Sequence, residues 1–148
     1  MGPQDSWLLL RGLKTLKVRM DYQQNSALKL ARWLSEQPRI TEVFYPGLKS
    51  HPGREIHFSQ AQGPGAVLSF KTVNDETARL FMKRIRLAAV AVSLGGVETI
   101  VSYPVKMSHA SIPRHERERL GISDNLIRVS VGLEEIEDLI ADFEQALK

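Results

Sequence analysis

A helical pattern that precedes every strand-like segment constrains this chain most. Leu9, Leu10, Leu13, Leu16 and Met20 follow three-and-four spacing behind Asp5 and Ser6, which can cap a helix. Ala27, Leu28, Leu30, Ala31 and Leu34 continue the pattern with little sign of a stop. One long or bent helix is therefore expected from about Ser6 to Glu36, ended by Pro38. It carries more apolar surface than one small sheet can cover, and such a helix often packs on a further domain.

Beyond Pro38 strands and helices alternate. "ITEVFYP" reads as a strand that stops at Pro46-Gly47, and "HPGREIHFSQA" as a short helix. Gly63-Pro64-Gly65 turns the chain into the strand "AVLSFKTV", and "NDETARLFMKRI" has an Asn/Asp cap with an apolar face through Ala78, Phe81, Met82 and Ile85. "AAVAVSL", beginning as a buried strand, a glycine pair and "TIVSY" come next, then a polar loop holding "SHASIPRHERERLGISD". The strand "LIRVSV" and the acidic-started helix "EEIEDLIADFEQAL" close the chain. This order implies an α/β chain of the α+β two-layer sandwich type, a small mainly antiparallel sheet of roughly four or five strands with helices over one face. Residues 1–36 are expected to form a connecting helix or helix pair, and 37–148 a small domain.

Composition narrows the classes of function. With 148 residues, 43% of them hydrophobic, the chain suits one domain with a real core. No run approaches the length of about 20 apolar residues that crosses a bilayer, and "MGPQDSW" lacks the features of a signal peptide. A membrane partner is not expected. A formal charge of +3, with lysine and arginine scattered among acids, does not make the clustered basic face of a nucleic-acid binder. The absence of cysteine rules out disulfides, thiolate metal sites and cysteine nucleophiles, and fits a cytoplasmic location.

The stretch "AAVAVSLGGVETIVSYP" holds the first suggestion of a site. Ser93, Gly95, Gly96 and Glu98 interrupt an apolar run that resumes strand character within five positions, as where backbone approaches something closely. Read alone, Ser93 could equally satisfy a strand-end amide, and the glycine pair could be a bulge. Arg128, on the apolar strand "LIRVSV", could lie at a sheet edge with its head in water. Glu98 suits structural support, and Tyr103 and Met107 suit packing. His51, His57, His109 and His115 show no metal-ligand spacing, so no metal site is expected. A triad of Ser93, His109 and Asp124 can be drawn on paper, without any nucleophile-elbow pattern to support it.

Several blocks together carry a resemblance. "DSWLLLRGLKTL", "YPGL" followed by "HP", "SLGGVET", "GISDNLIRVSVGLE" and "DLIADFEQAL", in this order and with these gaps, resemble the C-terminal part of the Cys/Met-metabolism family of pyridoxal-phosphate enzymes. The resemblance spans essentially the whole chain. It implies the small C-terminal domain of a fold-type I enzyme, preceded by the helix that joins it to a larger cofactor domain, in a homo-oligomer, typically a tetramer. Arg128 matches the family arginine that pairs with the substrate carboxylate. Ser93 and Leu94 match the turn bordering the same pocket, where the serine lies near the cofactor-binding lysine and the backbone helps receive the carboxylate. Gly95 and Gly96 would let that backbone come close. Met107 to His109, "MSH", resembles a family "MTH" loop, with Ser108 keeping a hydroxyl.

The family's cofactor-binding lysine and phosphate cradle have no counterpart here, and Lys14 and Lys17 stand at positions the family does not use. By this resemblance no catalytic residue lies in this chain, and alone it should neither hold pyridoxal phosphate nor turn over substrate. The residue before the serine, often glutamate in γ-synthases and γ-lyases, is Val92. That weakens the γ-synthase reading, while "AVSLGGVET" followed by "SYPVKMSH" resembles the bacterial cystathionine β-lyase or γ-lyase type, the β-lyase ahead. Such an enzyme of trans-sulfuration and methionine biosynthesis breaks a carbon–sulfur bond to release a thiol, pyruvate and ammonia. The γ-lyase and γ-synthase are the alternatives. From other classes, a module that binds small carboxylates and an assembly domain built on the first helix remain as readings.

Overall fold

A computed structural model describes all 148 residues. Residues 1–36 hold the helix pair rather than the single long helix: α1 (Pro3–Leu13) and α2 (Leu16–Ser35), separated at Lys14 and Thr15. The start also differs from the expected cap at Asp5 and Ser6. Pro3 opens α1, where its missing N–H costs nothing, and Asp5 accepts from the Gly2 amide at 3.3 Å.

Five strands form one sheet in the order β1-β2-β5-β4-β3, from β1 (Ile40–Phe44), β2 (Val67–Thr72), β3 (Ala89–Val90), β4 (Ile100–Ser102) and β5 (Leu126–Ser130). All neighbours run antiparallel except β3 and β4. Alternation along the central strands divides the two faces. Leu68, Phe70, Val101, Ile127 and Val129 point to one side and are almost wholly buried. Three helices cover that side: α2, α4 (Asp75–Arg84) and α6 (Ile136–Leu147). α4 begins as its sequence dictates, with the Asn74 side chain accepting from the Thr77 amide at 2.8 Å. At the centre Phe81 lies edge-on to Phe70 and Phe143, with centroids 5.5 and 5.1 Å away.

Two further expectations fail. "AAVAVSL" is not a buried strand: only Ala89 and Val90 pair, and Val90, Val92 and Leu94 are exposed because this is the sheet's edge. The segment expected as a polar loop contains a short helix, α5 (Arg114–Arg119), held by an Arg114–Glu118 pair at 2.7 Å rather than by an apolar face. The short helix α3 (Arg54–Gln60) lies where it was expected.

The entry to β3 is fixed from α6. Asp142, 8% exposed, accepts the amides of Arg86, Leu87 and Ala88 at 2.9, 2.8 and 3.2 Å. Three N–H groups converging on one carboxylate make a rigid joint. The edge segment leading to Ser93 therefore starts from a defined point.

Candidate functional site

The face of the sheet opposite the helices carries the site. On β5 the residue between buried Ile127 and Val129 must point the other way, and it is Arg128. Its register partners are Ser69 on β2 and Ser102 on β4, so the guanidinium stem rises from a row of small residues. Arg128 Nη2 donates to the Ser93 carbonyl at 3.0 Å and to Ser102 Oγ at 3.1 Å. Ser102, 2% exposed, itself donates to the Ala91 carbonyl at 2.7 Å. One hydroxyl thus ties the arginine to the edge segment.

The Ser93–Glu98 turn is pinned from several sides. Gly95 has φ +77°, which a side chain would disfavour, and its amide donates to Ser130 Oγ at 2.9 Å. Gln23 of α2 donates to the Gly96 carbonyl at 2.7 Å, and the Leu133 amide donates to the Val97 carbonyl at 2.7 Å. Glu134 takes the Thr99 amide and hydroxyl, each at 2.6 Å. The closest backbone approach is made by Gly132, where a Cβ would lie inside the main chain of Val97, Glu98 and Thr99. A Cβ on Gly95 would meet nothing, and one on Gly96 only the Glu98 side chain. The glycine of close approach is therefore on the β5 side, not in the pair that suggested it.

Electrostatically the corner is unbalanced. None of the ion pairs in the chain includes Arg128, and its two partners are neutral acceptors. Its Nε–H is buried without a partner. A half-buried cation, oriented by neutral groups and with donor capacity to spare, is suited to a small carboxylate. Ser93 contributes its carbonyl, while its hydroxyl makes no bond within the chain; Leu94 and Val92 form an exposed apolar rim.

The remaining candidates are dispersed. His109 Nδ1 pairs with Ser108 Oγ at 2.8 Å, and His57 Nε2 with the Gly63 carbonyl at 2.9 Å. Asp124 faces Arg114 and Arg117, so Ser93, His109 and Asp124 assemble no triad. Tyr103 is core, as its position suggested, and its hydroxyl donates to the Asp124 carbonyl at 2.5 Å. Sequence reasoning missed Ser102, Ser130, Gln23, Glu134 and Gly132. Alternation was the available signal for two of them: Ser102 in "TIVSY" and Ser130 in "LIRVSV" fall on the same face as Arg128.

The sequence model for the Cys/Met metabolism PLP-dependent enzymes matches residues 1–148. Cystathionine beta-lyase MetC of Bacillus subtilis is 51% identical over all of this chain and 38% of its own length. The cystathionine gamma-lyase of the same organism is 47% identical over all of this chain and 39% of its own. Among solved structures, a putative O-acetylhomoserine (thiol)-lyase of Campylobacter jejuni, crystallised with pyridoxyl-lysine monophosphate, superimposes with TM-score 0.93. It is 34% identical, with 99% of this chain and 35% of that one covered. metB of Corynebacterium glutamicum gives 0.89 at 42% identity, over 97% of this chain and 37% of that one. The chain thus spans about a third of the length of the curated relatives it matches. With a family match from end to end and the same fold in enzymes of known structure, the chain belongs to the Cys/Met metabolism family of pyridoxal-phosphate-dependent enzymes.

Proposed function

We propose that this chain is the C-terminal, substrate-carboxylate-binding domain of a pyridoxal-phosphate-dependent carbon–sulfur lyase of the cystathionine β-lyase type. The observation that carries the reading is Arg128: a cation without a counter-ion, held against the Ser93 carbonyl by Ser102. Pyridoxal phosphate, when bound to such an enzyme, supplies the electron sink for breaking bonds at the α-carbon. Arg128 would fix the carboxylate, and with it the orientation of those bonds. Ser93 and Leu94 would border the amino acid, Ser93 nearest the cofactor.

The residues at this corner fit the carboxylate and not the cofactor's aldehyde. The lysine on the same sheet face, Lys71, is paired with Glu42 at 3.0 Å. The covalent lysine belongs, in this reading, to a part of the enzyme outside the 148 residues, and the isolated chain is inactive. The exposed Trp7, Leu9, Leu10 and Leu13 of α1 support packing against that part or a neighbouring subunit of a homo-oligomer. The cysteine-free composition supports a cytoplasmic location. Apolar, exposed Val92 beside Ser93 supports the β-lyase over the γ-synthase, and the γ-lyase is the second reading.

A chimera tests the proposal. In the Bacillus subtilis β-lyase the matched segment is exchanged for this chain, and pyruvate release from cystathionine is followed. Activity is expected, with a loss of about 100-fold or more in kcat/KM on Arg128→Gln. A chimera with cofactor bound and activity indifferent to Arg128→Gln would overturn it. Separately, the chain alone with pyridoxal phosphate should give no borohydride-trappable adduct; a stoichiometric adduct on one lysine refutes the predicted inactivity.

A further inference from the structure

A second cation-rich feature lies on the other side of the sheet, where β4 ends and α4 begins. Tyr103, one residue beyond Ser102, turns toward the helices and forms one wall of a cavity of about 220 Å³. Arg79, Lys106, Arg114 and Arg117 line it, with two carboxylates, Asp75 and Asp124. The ion pairs do not use these charges evenly. Asp75 is taken by Arg79 at 2.7 Å, and Glu118 sits on Arg114 at 2.7 Å. Asp124 meets Arg114 at 3.7 Å and Arg117 at 3.6 Å, beyond hydrogen-bond reach of either.

Arg117 is the most buried cation of the set. Its side chain is 13% exposed, its Nε–H is buried without a partner, and its one hydrogen bond is a long one, 3.3 Å, to the Val105 carbonyl. Lys106 has no ion pair at all. With Glu118 included, the group carries one positive charge more than its carboxylates cancel. A buried guanidinium left with loose contacts is costly unless an acceptor completes them. Several donors arriving from two helices and a turn match a compact anion that presents oxygens in more than one direction.

We infer that this cavity binds a tetrahedral oxyanion of the phosphate or sulfate class, held by Arg117, Arg114 and Lys106. Asp124 opposes such an anion directly, so affinity depends on both arginines turning part of their charge from that carboxylate to the ligand. This site rests on observations independent of Arg128, which lies on the opposite face of the sheet.

Titration of the 148-residue chain with inorganic phosphate, and separately with sulfate, followed by backbone amide NMR, tests the inference. Chloride at equal ionic strength is the control. Saturable shifts are expected at Tyr103, Lys106, Arg117 and Asp124, at least tenfold weaker in binding for Arg117→Gln. Lys106→Gln, at an exposed position without partners, serves should Arg117→Gln not fold, and is expected to weaken binding several-fold. Phosphate without sulfate would keep the site and narrow its ligand to phosphate. No saturation, shifts reproduced by chloride, or shifts unchanged in a folded Lys106→Gln would overturn it. Shifts confined to Ser93, Gly95 and Arg128 would also overturn it, since they report the other site.

Discussion

Helices α1 and α6 are of nearly equal length and both rich in leucine-type residues, yet they fare oppositely. α6 buries Ile136, Leu139, Phe143, Ala146 and Leu147, while α1 buries nothing and leaves Trp7, Leu8, Leu9, Leu10 and Leu13 each half exposed or more. The difference lies in what each faces. α6 has an apolar stripe narrow enough for the sheet to cover, with Glu137, Asp138 and Glu144 outside it; α1 has apolar residues in an unbroken run that no single surface could hide. Apolar content alone therefore does not place a helix in the core; the width of its apolar stripe does.

Substitutions break that comparison in graded steps. The largest effect is expected for Phe143→Ala in α6, about 3–5 kcal/mol in urea unfolding, because the ring closes the cluster with Phe70 and Phe81. Asp142→Ala on the same helix should cost about 3 kcal/mol and strip hydrogen-exchange protection from the Leu87 and Ala88 amides. An unchanged exchange pattern would mean that α6 does not secure the edge strand.

Tyr45 gives a smaller effect with a pH signature. Buried, and donating to the Gly65 carbonyl at 2.8 Å, its phenol is pushed well above its ordinary value by desolvation. The unfolded chain therefore ionises first, so the contribution is complete below about pH 10 and declines as pH rises beyond it. Tyr45→Phe should cost about 1 kcal/mol at neutral pH and flatten that alkaline decline. The smallest change is expected in α1, where Leu10→Ser should alter stability by no more than about 0.5 kcal/mol. Light scattering should then show less self-association than in the unaltered chain; equal association would shift the sticky surface elsewhere.

The elements with a clear period were legible in the sequence. Ala78 and Phe81 in α4, and the alternation around Arg128 in β5, gave both structures and their faces. The apolar letters of residues 88–94 misled because hydrophobicity reports a wish for burial, while an edge position depends on where the sheet stops. α5 was missed since it buries no residue and so shows no apolar period, whereas the break at Lys14 and Thr15 resolves the helix-or-helix-pair expectation toward the pair. Of the site, the meeting of Arg128 with the Ser93 turn was readable through the family blocks. Ser102 was readable only as a residue on the face of Arg128, and Glu134 not at all, since it meets Thr99 across 35 positions of sequence and neither Glu134 nor Thr99 lies in a strand.

Gly132 has an outcome for how such a chain can drift over generations. Adding a single methyl group there would force Val97 through Thr99 outward, and the displaced turn would carry Ser93 away from the arginine it meets. Neither neighbour could compensate, because the obstruction is main chain that every alternative residue would share. A position that meets Arg128 only through the turn it presses on is thereby intolerant of replacement.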